Sequence, residues 1–212
     1  SARAQRVISG DLHGATIPPS VARGLSNTNG VTVEVASTAD WRGISLPRTT
    51  LTETPEVRQA INLAVNRSAI VDGPLSGYGT PLSTPLGPVY GNSHDPDATF
   101  DHDLDKARAL MDSAGWKLGE DGARRKDGAV ADMELMYPGF DSLRRDLAVE
   151  FAAQMRELGI NVTTRASTWD EMTPRLGEAA VVLGGGESPW DPDLVAWDQL
   201  HTRTATSSEY AN

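Results

Sequence analysis

The sequence predicts an α/β fold, or α+β if its sheet is mixed. A strand, a long amphipathic helix and a second strand follow one another within about thirty residues, which is the order and length of a βαβ unit with a right-handed crossover. Two further helical segments with apolar stripes precede this unit, and a short apolar run that ends in three glycines follows it. This alternation predicts helices packed against a central sheet.

The composition excludes several classes of function. The 212 residues carry a net charge of −10, which argues against nucleic-acid binding and against docking on anionic lipid through a polybasic patch. There is no cysteine, so disulfides, thiolate catalysis and zinc–thiolate sites are excluded. No apolar run approaches the length of a membrane span, and we read no signal peptide at the start of the chain. An acidic globular protein with an ordinary core is expected.

The first fifty residues predict short elements. A helix is expected from Pro18 to Leu25. The alternation from Val31 to Val35 predicts a strand with valine on one face. A second strand is expected from Trp41 to Leu46, where Pro47 ends it.

The next helix has the clearest start signal. Thr54 is expected as its N-cap, and Pro55 occupies the first helical position, where a missing N–H costs nothing. The apolar stripe consists of Val57, Ala60, Ile61 and Ala64. Gly73-Pro74 predicts that the helix ends after Asp72.

A loop, a helix and a hairpin are expected next. Residues 73–100 are rich in Gly, Pro and Ser, which is typical of a functional loop or of a packed wall. The second helix is capped by Asp101 or Asp103 and ends at Gly115. Its apolar face consists of Leu104, Ala107, Leu110, Met111 and Ala114. Turn signals between Gly119 and Gly128 predict the tip of a hairpin.

The βαβ unit follows. Met133, Leu135 and Tyr137 alternate with other residues in a half-buried strand. The long helix is capped by Asp141 and closed by Gly159. Its buried stripe consists of Leu147, Phe151, Met155 and Leu158, and Ile160 and Val162 begin the next strand. A short helix near 170–176 is followed by a buried strand, Ala179 to Leu183, that opens into a glycine loop.

Five stretches match one set of motifs. Residues 55–71 fit the pattern P-x-V-R-Q-A-x-N-x-A-x-D-R-x-x-I, with Asn66 where Asp is commoner. The other matches are Gly77–Pro81; Phe100-Asp101 with Lys106-Ala107, Leu110-Met111 and Ala114–Trp116; Leu158–Val162; and Asp191–Asp193. In order and spacing they resemble the large solute-binding proteins of dipeptide, oligopeptide and nickel ABC importers. The resemblance covers about two-thirds of the chain.

This resemblance implies a fold and a domain organisation. The expected fold is a periplasmic-binding-protein-like lobe of the type II, peptide-binding class, with a mixed sheet and flanking helices. Residues 1–50 would form a hinge-side segment with crossover strands, residues 51–200 the second lobe, and residues 201–212 a truncated return strand toward the first lobe. A signal peptide and a lipid-anchoring cysteine would lie upstream.

The resemblance also implies a function. The chain would belong to the extracytoplasmic substrate-binding component of an ABC importer, which captures a small solute, preferentially a di- or oligopeptide, and delivers it to the permease subunits. Neither a catalytic activity nor a cofactor is expected, and the membrane would be reached only through a lipid anchor. Nickel or a metal chelate is the alternative ligand. A sensory or structural domain on the same fold is the alternative of another class, and an acidic glycan-active enzyme is a weaker one.

The predicted ligand contacts centre on the loop after the last strand. The resemblance implies an acidic residue there that pairs with a peptide α-ammonium, and Glu187 is the nearest acid. A gapless match on Asp191-Pro192-Asp193 instead places Ser188 at that position. Trp190 is expected to stack on the ligand or line the cleft.

Further ligand contacts are expected on the hinge side. There Trp41 faces the cleft, and Arg42 pairs with a ligand carboxylate or remains a surface residue. Tyr78 lies in a loop that lines the cleft.

Other conspicuous residues are expected to be structural. Arg58, Asn62 and Arg67 would hold their helix against neighbouring loops, and Trp116 and Trp169 would pack. The His and Asp residues between 94 and 103 fit no metal-site template, so no metal is expected. The sequence contains neither a phosphate-binding Gly-rich loop with Lys-Ser/Thr nor a nucleophile elbow.

Overall fold

The computed structural model describes residues 1–185 and 191–193. In chain order its helices are α1 (Ala2–Ile8), α2 (Pro19–Leu25), α3 (Pro55–Ala64), α4 (Arg67–Asp72), α5 (Leu104–Ser113), α6 (Ser142–Leu158) and α7 (Trp169–Met172), with 3₁₀ turns at Pro88–Ser93 and Thr173–Arg175. The strands are β1 (Trp41–Ile44), β2 (Lys117–Leu118), β3 (Arg124–Lys126), β4 (Ala129–Val130), β5 (Asp132–Pro138), β6 (Asn161–Ser167) and β7 (Ala180–Gly185).

The central sheet has four strands in the order β1-β7-β5-β6. Strand β5 runs parallel to both β6 and β7, whereas β1 pairs with β7 in the antiparallel direction. The sheet is therefore mixed, and the predicted α/β lobe with flanking helices is confirmed. The predicted βαβ unit is β5-α6-β6, in which seven residue pairs run from Asp132 opposite Asn161 to Pro138 opposite Ser167.

Helix α6 begins and ends where local chemistry requires. The Asp141 side chain accepts a hydrogen bond from the Arg144 backbone N at 3.0 Å, which satisfies one of the free N–H groups of the first turn. Gly159 ends the helix in the left-handed region at φ 88°, as a C-terminal glycine commonly does. Both predicted ends of this helix are confirmed.

The two faces of the sheet bury two different cores. On one face α3, α5 and α6 pack over Leu135, Ala180 and Val182. On the other face the segment 172–179 covers Met136 and Val181 in a smaller cluster. Neighbouring strand residues such as Leu135 and Met136 point to opposite faces. Both are fully buried, so the sheet is covered on each side at its centre.

The helix predicted over residues 55–72 is in fact two helices. It breaks at Val65 and Asn66, because the Asn66 side chain accepts from the Ala69 backbone N at 2.9 Å and so starts α4 as a new cap. The Asn66 backbone N–H, which a continuous helix would use internally, donates instead to Gln154 Oε1 at 2.9 Å. A side chain of α6 thus takes the place of the helical bond.

The strand predicted from Val31 to Val35 is wrong. Within the described residues this segment has no partner strand, and Val35 is 67% exposed. Alternation alone does not form a strand, since each backbone N–H and C=O needs a ladder partner. The neighbouring prediction, Trp41 to Leu46, is confirmed as β1, which does have a partner in β7.

Two of the three signature residues, Arg58 in α3 and Arg67 in α4, hold loops as predicted, whereas the Asn62 side chain bonds to Arg58 O and to Arg67. Arg58 Nη1 donates to the carbonyls of Thr52 and Glu53 at 2.8 and 2.9 Å. Arg67 donates to Asn62 O at 3.1 Å and Phe100 O at 3.2 Å, which ties α4 to α3 and to the loop before α5.

A buried cation joins helices α5 and α6 to the small sheet β2-β3-β4. Arg124 is 2% exposed. Its Nε donates to Leu158 O at 2.8 Å, and its Nη1 donates to Trp116 O at 2.6 Å and Asp112 Oδ1 at 2.7 Å. These contacts reach the C-terminal ends of α5 and α6, where free carbonyls attract a positive charge.

We expect Arg124→Met to lower the free energy of unfolding by about 2–4 kcal/mol, because the substitution leaves the Asp112 carboxylate and two carbonyls without their donor. Arg125→Met is the matched control, since this neighbour on β3 is exposed and forms a surface ion pair with Asp121. Its loss should be clearly smaller, because exposed ion pairs contribute little to stability. Urea denaturation measures both, and equal losses would contradict the role given to Arg124.

A second charge cluster ties β5 to its neighbours on the opposite face. Glu134 accepts a hydrogen bond from Arg175 Nη2 and lies 3.5 Å from Arg165 Nη1. The hydrogen bond from Arg175 holds the pKa of Glu134 below its ordinary value. A depressed carboxyl pKa stabilises the fold above the unfolded pKa, and this contribution is lost as pH falls through the folded pKa.

We therefore expect Glu134→Gln to destabilise the protein at neutral pH by about 1 kcal/mol or less. The difference from the wild type should shrink once the pH falls below 4.5, the ordinary value for this group. Thermal unfolding at neutral and acidic pH measures it, with the exposed Glu120→Gln as control. A difference that stays constant with pH would overturn this assignment.

Candidate functional site at the carboxyl edge of the sheet

The carboxyl ends of three parallel strands meet at one edge of the central sheet. The strands β5, β6 and β7 end there at Pro138, Ser167 and Gly185. Trp41, the first residue of the antiparallel β1, lies opposite Gly185 and so belongs to the same edge. Ligands of open α/β sheets bind at this edge, because the loops and helix starts that follow the strands converge there.

Two arginines lie at this edge on the α6 side of the sheet. Arg42 is paired with Gly184. Both residues lie on the same face of the sheet as the next alternate pair, Ile44 and Val182, which faces the α6 core. Arg144 comes from the first turn of α6, and its side chain is 12% exposed. Burial lowers the pKa of Arg144, and the nearby charge of Arg42 lowers it further. The two cations are thus close enough to repel each other.

Two carboxylates lie near these arginines: Asp40 is close to both, and Asp141 is beside Arg144. Arg42 Nη1 donates to Asp40 Oδ1, and the Asp40 side chain is about half exposed to solvent. Arg144 Nε lies 3.5 Å from Asp141 Oδ2, a distance at which the ion pair is not a well-formed hydrogen bond. The Arg144 guanidinium therefore retains donors for another partner.

The Arg144 guanidinium also lies over an aromatic ring. Its central carbon is 5.5 Å from the centroid of Trp169, within the range of a cation–π interaction. Trp169 opens α7, and a capping box between Thr168 and Glu171 fixes the start of that helix. The indole remains 38% exposed, so one surface is free to contact a ligand.

Unsatisfied donors gather at the same edge. Within the part of the chain that the structure describes, four buried side-chain polar atoms have no hydrogen-bond partner. Three of them are Trp41 Nε1, Arg144 Nε and Ser167 Oγ, and all three belong to residues at the carboxyl edge. Buried polar groups are normally paired, so these three unpaired atoms, the orphaned donors, point to a partner that is absent. A ligand with acceptor oxygens would supply it.

These features favour an anionic, oxygen-bearing ligand group. Guanidinium groups bind carboxylates in two parallel hydrogen bonds, and such charge-assisted bonds are stronger than neutral ones. A neighbouring exposed tryptophan supplies an apolar wall beside them. The arrangement can bind and orient a small solute. Its described residues offer no nucleophile paired with a base.

Of the sequence-predicted site residues, Trp41 and Arg42 lie at this edge. Asp191 is exposed and its Oδ1 accepts from the Asp193 backbone N at 2.9 Å, a local turn contact. Tyr78 is half-buried in the turn that follows α4, and none of the contacts described above involves it.

The predicted contacts of Glu187, Ser188 and Trp190 lie outside the described residues.

The sequence reasoning missed three residues of the site. Arg144 and Ser167 were not singled out, and Trp169 was expected to be a packing residue. A usable signal existed, since the predicted βαβ unit places the residues after each strand at the carboxyl edge. Asp141 as the helix cap puts Arg144 in the first turn above that edge.

Two other clefts are less suited to a ligand. One of about 290 Å³ lies between α4 and the loop of residues 80–102, and one of about 660 Å³ lies at the amino edge beside Trp116 and Met133. None of the orphaned donors lines either cleft. In the first cleft His94 Nδ1 is already engaged with Leu86 O at 2.8 Å. Across residues 1–185 and 191–193 no three metal-ligating side chains come together.

The comparison with known proteins agrees with the fold. The sequence profile of the bacterial extracellular solute-binding proteins, family 5 (middle region), matches residues 1–207. The chain belongs to this family. The predicted resemblance is confirmed, and members of family 5 are binding proteins rather than enzymes. In the described part of the chain, no helix has both the length and the apolarity needed to span a bilayer.

Individual members of family 5 align over most of this chain. Protein XP55 of Streptomyces lividans is 36% identical over 216 residues, which cover 99% of this chain and 40% of that protein. The oligopeptide-binding protein AppA of Bacillus subtilis is 30% identical over 155 residues, covering 69% of this chain and 28% of its own length.

A solved structure extends the comparison. The crystal structure of NikZ from Campylobacter jejuni in complex with Ni(L-His) superposes with a TM-score of 0.84 at 25% identity, covering 99% of this chain and 42% of that one. This chain spans less than half the length of each of the three proteins.

We expect Arg144→Gln to leave the free energy of unfolding unchanged within about 1 kcal/mol, or slightly raised, because the fold leaves its Nε unpaired and places it near a second cation. Urea denaturation beside Arg124→Met measures the contrast between an incompletely paired and a fully paired arginine. A loss as large as that of Arg124→Met would show that Arg144 serves the fold.

Proposed function

We propose that this chain forms the second lobe of an extracytoplasmic solute-binding protein that delivers a di- or oligopeptide to an ABC permease. The observation that carries the proposal is the group of orphaned donors and two arginines at the carboxyl edge. Such an edge suits a peptide, which ends in a carboxylate and carries a row of carbonyl acceptors.

Each group at the edge has a matching group on a peptide. Arg144 and Arg42 would bind the terminal carboxylate through charge-assisted hydrogen bonds. Trp41 Nε1 and Ser167 Oγ would donate to main-chain carbonyls. Trp169 would contact a side chain with its exposed face, because its ring is already oriented by Arg144.

The opposite end of the peptide is proposed to meet the loop after β7. Glu187 or Ser188 would receive the α-ammonium, since a buried ammonium needs an acceptor or a counter-charge. Trp190, Asp191 and Tyr78 would line the same cleft.

The rest of the organisation follows from a two-lobed protein. Residues 1–50 would lie at the hinge with crossover strands, residues 51–200 would form this lobe, and residues 201–212 would return toward the first lobe. Closure would be favoured only by contacts that the ligand makes better in the closed state. A lipid anchor on a preceding segment would hold the protein at the outer face of the membrane.

A nickel chelate is the second candidate, and one observation favours it. The similar NikZ structure holds Ni(L-His), a chelate that also contains a carboxyl group. The carboxyl edge offers arginine donors rather than metal ligands, so an intact chelate rather than the bare ion would be bound.

We expect short peptides with a free carboxylate to raise the midpoint of thermal unfolding of this chain in proportion to ligand concentration, because a ligand that binds only the folded state stabilises it. Their C-terminal amides should have a smaller effect. The Arg144→Gln variant should lose the difference between the two, and Arg125→Gln, far from the edge, should keep it. A shift with nickel–histidine and none across the peptides would replace the peptide by the chelate.

A further inference from the structure

Gly184 occupies a point where no other side chain fits. It lies in β7 opposite Arg42, one residue before the strand ends. A Cβ atom built on its backbone would lie 2.7 Å from Arg42 Nη1, 2.8 Å from Trp41 O and 2.9 Å from Arg144 Nη2. All three distances are shorter than real Cβ contacts, so even alanine would force neighbouring groups to move.

Because Gly184 has no side chain, two cations can approach each other above it. Arg42 Nη1 and Arg144 Nη2 both lie within 3.0 Å of the same point, although one comes from β1 and the other from α6. Two guanidinium groups this close repel each other. Arg42 Nη1 donates to Asp40 Oδ1 and to Trp41 O, whereas the Arg144 guanidinium forms no hydrogen bond within the described residues. Asp40 lies near both cations, and a further negative group would reduce the repulsion that remains.

An anion placed between the two arginines would remove this repulsion. A carboxylate has two oxygens, each able to accept from a different guanidinium. Asp141 approaches Arg144 from the Nε side, whereas Asp40 binds Nη1 of Arg42, the Arg42 atom nearest to Gly184. Arg42 Nη1 is occupied by Asp40 and Trp41 O, but Arg42 Nη2 and the Nη groups of Arg144 have no hydrogen-bond partner in the described part of the chain and remain available to a ligand.

We infer that Gly184 is a positioning residue, which lets Arg42 and Arg144 converge into a clamp for one carboxylate of the ligand. The inference deepens the proposed function, because it names the residue that lets both arginines reach one carboxylate. It does not depend on that carboxylate belonging to a peptide.

Acetate is the probe that tests the clamp. We expect acetate to shift the side-chain Nε–Hε NMR signals of both Arg42 and Arg144 in the isotope-labelled 212-residue protein. Gly184→Ala should weaken this binding about tenfold or more, because the new methyl group pushes the two guanidiniums apart. Even without acetate, the Arg144 signal should move as its guanidinium leaves the Trp169 ring.

Gly139→Ala is the matched control. It lies in the loop between β5 and α6, and a Cβ there would meet Ala166 Cβ at 3.6 Å, an ordinary contact. This variant should bind acetate as the wild type does. The inference is overturned if acetate moves neither arginine signal in the wild type, or if Gly184→Ala responds as the control does.

A variant cycle covers the case in which Gly184→Ala does not fold. Arg42→Ala and Arg144→Ala are measured singly and together with acetate. Two groups that share one carboxylate should give non-additive losses, with the double variant little worse than either single one. Additive losses would show two independent contacts and overturn the clamp.

Measurements with a short peptide distinguish a failure of this inference from a failure of the proposed function. Trialanine should bind more tightly than acetate, and its C-terminal amide more weakly than trialanine. If trialanine binds no better than acetate while the arginine signals behave as expected, the peptide proposal fails and the clamp stands.

Discussion

The packing of α6 on the parallel pair β5-β6 is the constraint on which the rest of the structure depends. Seven residue pairs in register make the two strands end level with each other. The buried stripe of α6, which includes Phe151 and Met155, holds the helix against Leu135 on that sheet. The first turn of the helix is thereby held above the strand ends, and a side chain in that turn has little choice of position.

The two ends of α6 serve different purposes because their electrostatics differ. At its C-terminus the Leu158 carbonyl accepts a hydrogen bond from the buried Arg124, which also donates to Trp116 O and to the Asp112 side chain of α5. At its N-terminus Arg144 is half-satisfied and faces another cation. One arginine is fully paired and supports the fold, whereas the other is left incomplete where a ligand would complete it. Functional sites commonly carry such local deficits, which the surrounding packing supports.

Much of the fold could be predicted because its signals are local. The caps at Asp141 and Gly159 and the stripe from Leu147 to Leu158 are all set by residues a few positions apart. The errors occur where the local structure depends on a partner that is distant in the sequence. The break at Asn66 depends on Gln154, and the segment from Val31 to Val35 lacks a partner strand that alternation cannot supply.

The residues of the candidate site also differ in whether the sequence could predict them. Arg42 could be predicted because the resemblance placed its strand beside the cleft. Arg144 could not, since its proximity to Arg42 depends on the pairing of β1 with β7 and on the orientation of α6. Gly184 carried no distinguishing signal within a run of three glycines.

The cap of α6 separates helix formation from ligand choice. Asp141 accepts its hydrogen bond from the backbone N of residue 144, a group that every amino acid except proline provides. The side chain at 144 can therefore be exchanged without removing the contact that starts the helix. In evolutionary terms, this position is free to acquire a new ligand preference while the scaffold stays the same. Divergence of specificity on this lobe would then proceed by substitution at a helix start that remains folded throughout.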